Sequence, residues 1–64
     1  MAHYNLGLEY ANLGNAGLAV RSYELAIKYK PDHYKAHFNL GNSYRILGRF
    51  EESVESYYNA LAVN

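Results

Sequence analysis

His33 and His37 stand four residues apart, a spacing that can bring two imidazoles onto one helical face as metal ligands. No obvious third ligand accompanies them, and His37 has a counterpart in His3, 34 positions earlier. A position that recurs with a repeat points to packing rather than to a single metal centre, so no metal site is expected. Glu51, Glu52 and Glu55 gather the carboxylates that general acid–base chemistry would need. Their simpler role is at the start of a helix, where negative charge meets the positive end of the backbone dipole. Ser43, Ser53 and Ser56 would be nucleophiles only beside a base and an orienting group, and no nucleophile-elbow context surrounds them. These residues point away from an enzyme and imply no cofactor.

The elements that position them are written by a repeat. "HYNLGLEYANLG" at residues 3–14 returns as "HFNLGNSYRILG" at 37–48. The same register aligns Ala2/Ala36, His3/His37, Asn5/Asn39, Leu6/Leu40, Gly7/Gly41, Tyr10/Tyr44, Leu13/Leu47, Gly14/Gly48, Val20/Val54, Ser22/Ser56, Tyr23/Tyr57 and Ala26/Ala60. Leu6, Tyr10 and Leu13 recur at helical spacing until Gly14 interrupts them. Val20, Tyr23, Ile27 and Lys30 then do the same until Pro31-Asp32. Each unit therefore reads as helix, short turn, helix, with helices near 2–13, 16–29, 34–47 and 50–62. Gly14 and Gly48 fall where a left-handed C-terminal cap suits glycine. Gly7 and Gly41 fall inside helices, where glycine costs about 1 kcal/mol against alanine, so close approach of a neighbouring helix is expected there.

Bulk properties narrow the partners. At 64 residues the chain is near the lower limit for a self-sufficient core, and a single domain is the most it can form. Six basic and six acidic residues balance to zero, which removes the broad field that attracts nucleic acid or an anionic membrane. The absence of cysteine excludes disulfides and thiolate metal sites and suits a reducing compartment. Met1-Ala2-His3 lacks the features of a signal peptide, and no apolar run approaches the roughly 18 residues of a membrane span. A soluble, intracellular and cytoplasmic protein is the expectation, with a protein or peptide as partner.

The period and the order of its residues resemble the tetratricopeptide repeat family. Leu6, Gly7, Tyr10, Gly14, Ala19, Tyr23, Ala26 and Pro31 carry the likeness in the first unit, and Leu40, Gly41, Tyr44, Gly48, Tyr57 and Ala60 in the second. The resemblance implies an all-α fold of two antiparallel helix-turn-helix hairpins, stacked as a short superhelix or α-α solenoid. Repeat 1 would span about 1–33 and repeat 2 about 34–64 of one domain. It also implies that Tyr10, Tyr23, Tyr44 and Tyr57 serve the core. His3 and His37 stand where the family usually has tryptophan, Ser53 replaces a small alanine, and Ala16 replaces an aromatic matched by Phe50. With Gly17 beside Ala16, looser packing is expected in the first hairpin than in the second.

Members of the family bind extended peptides or partner helices on the concave face. Carried over by position, that face holds Tyr4, Asn5, Leu8 and Asn12 in the first unit, and Lys35, Phe38, Asn39, Asn42 and Arg45 in the second. Asparagine can both donate to and accept from a peptide backbone, and Lys35 and Arg45 could draw in a carboxylate. The plainer alternative is a solvated face. Some members grip the C-terminal carboxylate of heat-shock chaperones through lysines, asparagines and an arginine spread over three repeats. Here Tyr4 and Phe38 occupy the place of the first lysine, so chaperone tails are not the expected ligand.

Two further apolar stripes have no assigned neighbour. Leu18 and Leu25 lie seven apart, off the inward set of Ala19, Val20, Tyr23, Ala26 and Ile27, where the second unit has Glu52 and Asn59. A helix apolar on two faces usually has two neighbours, although scattered exposed leucines are also common. The last helix presents Val54, Tyr57, Tyr58 and Leu61 at steps of three and four. About three repeats are generally needed for stability, so these stripes raise the expectation of a homo-oligomer or of a fragment from a longer array. The functional expectation is a non-enzymatic interaction or scaffold module, with structural self-assembly as the alternative.

Overall fold

Helix formation follows the repeat in the computed structural model, which describes residues 2–63: α1 (Ala2–Asn12), α2 (Ala16–Tyr29), α3 (Tyr34–Ile46) and α4 (Phe50–Val63). The outermost residues of the expected domain, Met1 and Asn64, lie outside the described residues.

The turns within the two hairpins close in the same way. Gly14 and Gly48 adopt φ of +80° and +79°. The amides that follow them donate back past the helix end, Asn15 to the Tyr10 carbonyl at 2.8 Å and Arg49 to the Tyr44 carbonyl at 2.9 Å. This left-handed closure satisfies carbonyls that the helix itself leaves open. The helices that begin next are capped differently. The Asn15 side chain accepts from the Leu18 amide at 3.1 Å, whereas α4 starts with Glu51 and Glu52 in its first turn.

Each hairpin is drawn together where its first helix lacks a side chain. A Cβ built on Gly7 would stand 2.5 Å from the Tyr23 ring, and one on Gly41 would stand 2.8 Å from the Tyr57 ring. The close approach expected at these glycines is therefore that of an aromatic ring from the paired helix. Ser53 uses the same proximity, donating from its buried hydroxyl to the Gly41 carbonyl at 2.8 Å. A serine in place of the small alanine is thus accommodated with its polar group satisfied.

Successive helices pack pairwise, α1 on α2, α2 on α3 and α3 on α4, into a slab of 28 × 26 × 14 Å. Ala19, Val20, Tyr23, Leu40 and Tyr44 form the buried core at the α2–α3 junction, with Tyr4, Leu8, Tyr10 and Ile27 packed against it. Three sequence expectations need correction. Leu6, read with Tyr10 and Leu13 as an inward set, is exposed because α1 is an outer helix packed on α2, and Leu13 is exposed because it falls in the turn beyond α1. Leu47 is exposed as well. Phe50 adds nothing to a tighter second hairpin, since it is 64% exposed while its counterpart Ala16 is buried.

Candidate functional site

The faces of α1 and α3 named by position meet through a small polar clasp. Asn39 donates from Nδ2 to the Tyr4 hydroxyl at 3.0 Å and to the Lys35 carbonyl at 2.9 Å. Both hydrogens of that amide are thereby used, which leaves its Oδ1 as an acceptor. One turn on, the Tyr57 hydroxyl donates to Asn42 Oδ1. Here the amide nitrogen remains, so Asn42 keeps its two donors. Neighbouring turns of α3 thus offer an acceptor and then donors, the pair of functions that an extended peptide backbone presents in reverse.

Charge and aromatic surface flank this pair. Phe38 packs beside Tyr57 with ring centroids 5.6 Å apart and remains half exposed. Lys35 and Arg45 lie exposed on α3, and neither forms an ion pair among the described residues. Asn5 and Asn12 are exposed on α1 without a side-chain hydrogen bond among the described residues. Leu8 differs from the others, because it is drawn onto the core and offers a partner only part of its surface. Beyond Phe38, an open apolar pocket of about 550 Å³ is lined by Tyr34, Phe38, Tyr57, Ala60 and Leu61.

The histidines serve the scaffold. His33 caps α3, its Nδ1 accepting from the Ala36 amide at 3.2 Å, while its ring packs 4.7 Å from that of Tyr4. An accepting Nδ1 requires the neutral ring, and burial followed by the nearby Lys30 charge pushes the His33 pKa down. His37 is buried and donates from Nε2 to the Pro31 carbonyl at 2.8 Å. Its repeat twin does something else, since His3 stacks on Tyr29 with ring centroids 5.5 Å apart. The four-residue spacing therefore separates into a helix cap and a turn anchor. Among the described residues no group of three or more potential metal ligands is present.

Sequence reasoning missed a contact that joins the hairpins. Tyr44 donates to Glu24 at 3.1 Å, and Arg49 lies over the Tyr44 ring, 5.0 Å from its centroid. Burial, reinforced by the hydrogen bond to the Glu24 carboxylate, pushes the Tyr44 hydroxyl up to about 12. No repeat symmetry could have disclosed it, because the position matching Glu24 is Tyr58.

The apolar stripes also find their places. Val54, Tyr58 and Leu61 are exposed along α4, and Leu18 and Leu25 are half exposed along α2. Tyr57 departs from that set. Its ring lies over Gly41 and its hydroxyl is bound to Asn42, so only its remaining edge lines the pocket.

Two stacked hairpins with glycine-tyrosine contacts and left-handed glycine closures define a helical-repeat protein. The tetratricopeptide repeat family description matches residues 4–64, and the chain belongs to that family. Among solved structures, the chain is similar to the crystal structure of MamA, with a TM-score of 0.93 and 34% sequence identity over 97% of this chain. It spans 36% of the MamA chain. No curated protein matches it. Tetratricopeptide hairpins generally mediate protein–protein contact or scaffolding, and no described helix is long and apolar enough to cross a membrane.

Proposed function

We propose that the chain is a non-enzymatic interaction module whose concave face binds an extended peptide segment of a partner protein. The observation that carries this reading is the alternation on α3, with the Asn39 acceptor followed by the Asn42 donors. Phe38 provides apolar contact beside them, and the cations of Lys35 and Arg45, which form no ion pair among the described residues, favour an acidic side chain or a terminal carboxylate in the ligand. Asn5 and Asn12 extend the polar strip along α1. A balanced net charge fits a protein ligand better than nucleic acid or a membrane surface.

Selection of displayed random peptides on the immobilised chain tests the groove. Enriched peptides are expected to be extended and to carry a carboxylate. Arg45→Ala and Asn42→Asp should each weaken them at least tenfold, the second because it removes the donors while keeping an oxygen for Tyr57. Arg45→Ala should change stability by no more than about 0.5 kcal/mol, as for other surface sites. Peptides indifferent to both substitutions would place the binding face elsewhere.

A second reading, structural self-assembly, is favoured by the apolar faces that α1 and α4 leave open.

A further inference from the structure

We infer that copies of this chain join head to tail, α1 of one copy docking on α4 of the next in the same register that seats α3 on α2 within the chain. This rests on the self-assembly reading and gives it a geometry.

The internal junction is the template. Val20 and Tyr23 of α2 meet Leu40 and Tyr44 of α3 in one core, with Ile27 packed against it. A shift of 34 residues turns the α2 side into Val54, Tyr57 and Leu61. The reverse shift turns the α3 side into Leu6 and Tyr10. Both derived sets are apolar; Val54, Leu61 and Leu6 lie open, while Tyr57 and Tyr10 are partly covered within their own hairpins. Val20 is 5% exposed and Val54 52%; Leu40 is 7% exposed and Leu6 45%. The two ends of the slab are thus the two halves of an interface that the molecule already makes once in its middle.

The pocket lined by Tyr34, Phe38, Tyr57, Ala60 and Leu61 fits the same operation. Its counterparts in the first hairpin are Tyr4, Tyr23, Ala26 and Ile27, and there the start of the following hairpin closes the space, with His33 against the Tyr4 ring. With zero formal net charge, no long-range repulsion opposes the approach.

The polar clasps do not survive the shift. The Asn39–Tyr4 bond becomes Asn5 against Phe38, which has no hydroxyl, and the Tyr44–Glu24 bond becomes Tyr10 opposite Tyr58. The contact between copies is therefore apolar, weaker than the internal one and reversible. It is also heterologous, so successive copies extend an open superhelix, and the mean size grows with concentration instead of stopping at a dimer.

Cross-linking decides the register, because the chain has no cysteine of its own. A short bis-maleimide should link an equimolar mixture of Leu6→Cys and Val54→Cys into a mixed dimer and leave each variant alone unlinked. Val54→Lys, at an exposed position, should keep full helicity while losing the concentration-dependent sedimentation of the parent. Val54→Cys linking to itself, or Leu18→Cys linking to either, would overturn the head-to-tail register while leaving self-assembly standing. A parent that sediments as a monomer across a hundredfold dilution series would overturn both.

Discussion

Leu40 and Leu6 occupy the same place in their hairpins, follow the same histidine and precede the same glycine, yet only Leu40 is buried. The contrast is milder for Tyr44, buried, against Tyr10, which is only partly covered. It appears with the opposite polarity along the chain for Val20, buried, against Val54, exposed. Local sequence sets which direction a side chain faces, and the neighbouring hairpin sets whether anything is there to meet it. In a repeat fold, burial is a property of the junction.

The contrast can be broken most sharply at the leucines. Leu40→Ala should cost about 2–5 kcal/mol, the range for truncating a core leucine, whereas Leu6→Ala should cost less than about 1 kcal/mol at a concentration where the chain is monomeric. Urea unfolding of both variants measures the pair, and equal losses would mean that α1 is not an outer helix in solution.

Next in size are the interior glycines. Gly7→Ala and Gly41→Ala should both lower the melting temperature despite alanine's better helix propensity, through overpacking worth about 1–3 kcal/mol. Gly7 should be the worse site. Its added Cβ would meet Tyr23, which is fully buried, while Tyr57 is only partly covered and has room to swing away. The reverse order would show that the first hairpin yields more readily than its burial implies.

The smallest effect concerns the turn between the hairpins. His33 has a pKa below its ordinary 6.5 in the folded chain, so the unfolded chain binds its proton first as the solution is acidified. The cap's contribution is complete above about pH 6.5 and is lost as pH falls through that value towards the lowered one. His33→Asn keeps a side-chain acceptor at the cap without a titrating ring. The variant should therefore lose less stability than the parent between neutral and mildly acidic pH, as read from thermal melts in parallel buffers. Identical pH profiles would deny His33 its role as a neutral cap.

The helices and their ends were legible in the sequence because two copies reported each boundary, and both glycine closures lie where the repeat placed them. The inward set of α2 was legible for a simpler reason: α2 has a helix on both sides, so periodicity and burial coincide. Leu6 and Phe50 were misread because pattern alone carries no record of which helix is outermost, and Leu13 because it falls in the turn just past α1. The Asn39–Tyr4 and Tyr57–Asn42 bonds were out of reach for another reason. Each joins residues far apart in the sequence, and in the first hairpin Leu8 stands where Asn42 stands in the second, so the repeat held no duplicate of the acceptor.

The pairing of each helix with its sequence neighbours also governs the kinetics of folding. Only short loops need closing to form the two hairpins and to lay α3 on α2, and helical proteins dominated by such local contacts fold within microseconds to milliseconds. The longest closure among the side-chain bonds is Asn39 to Tyr4, across 35 positions, and it requires both hairpins to stand side by side first. That clasp records their docking, and removing its hydroxyl with Tyr4→Phe should quicken unfolding more than it slows folding.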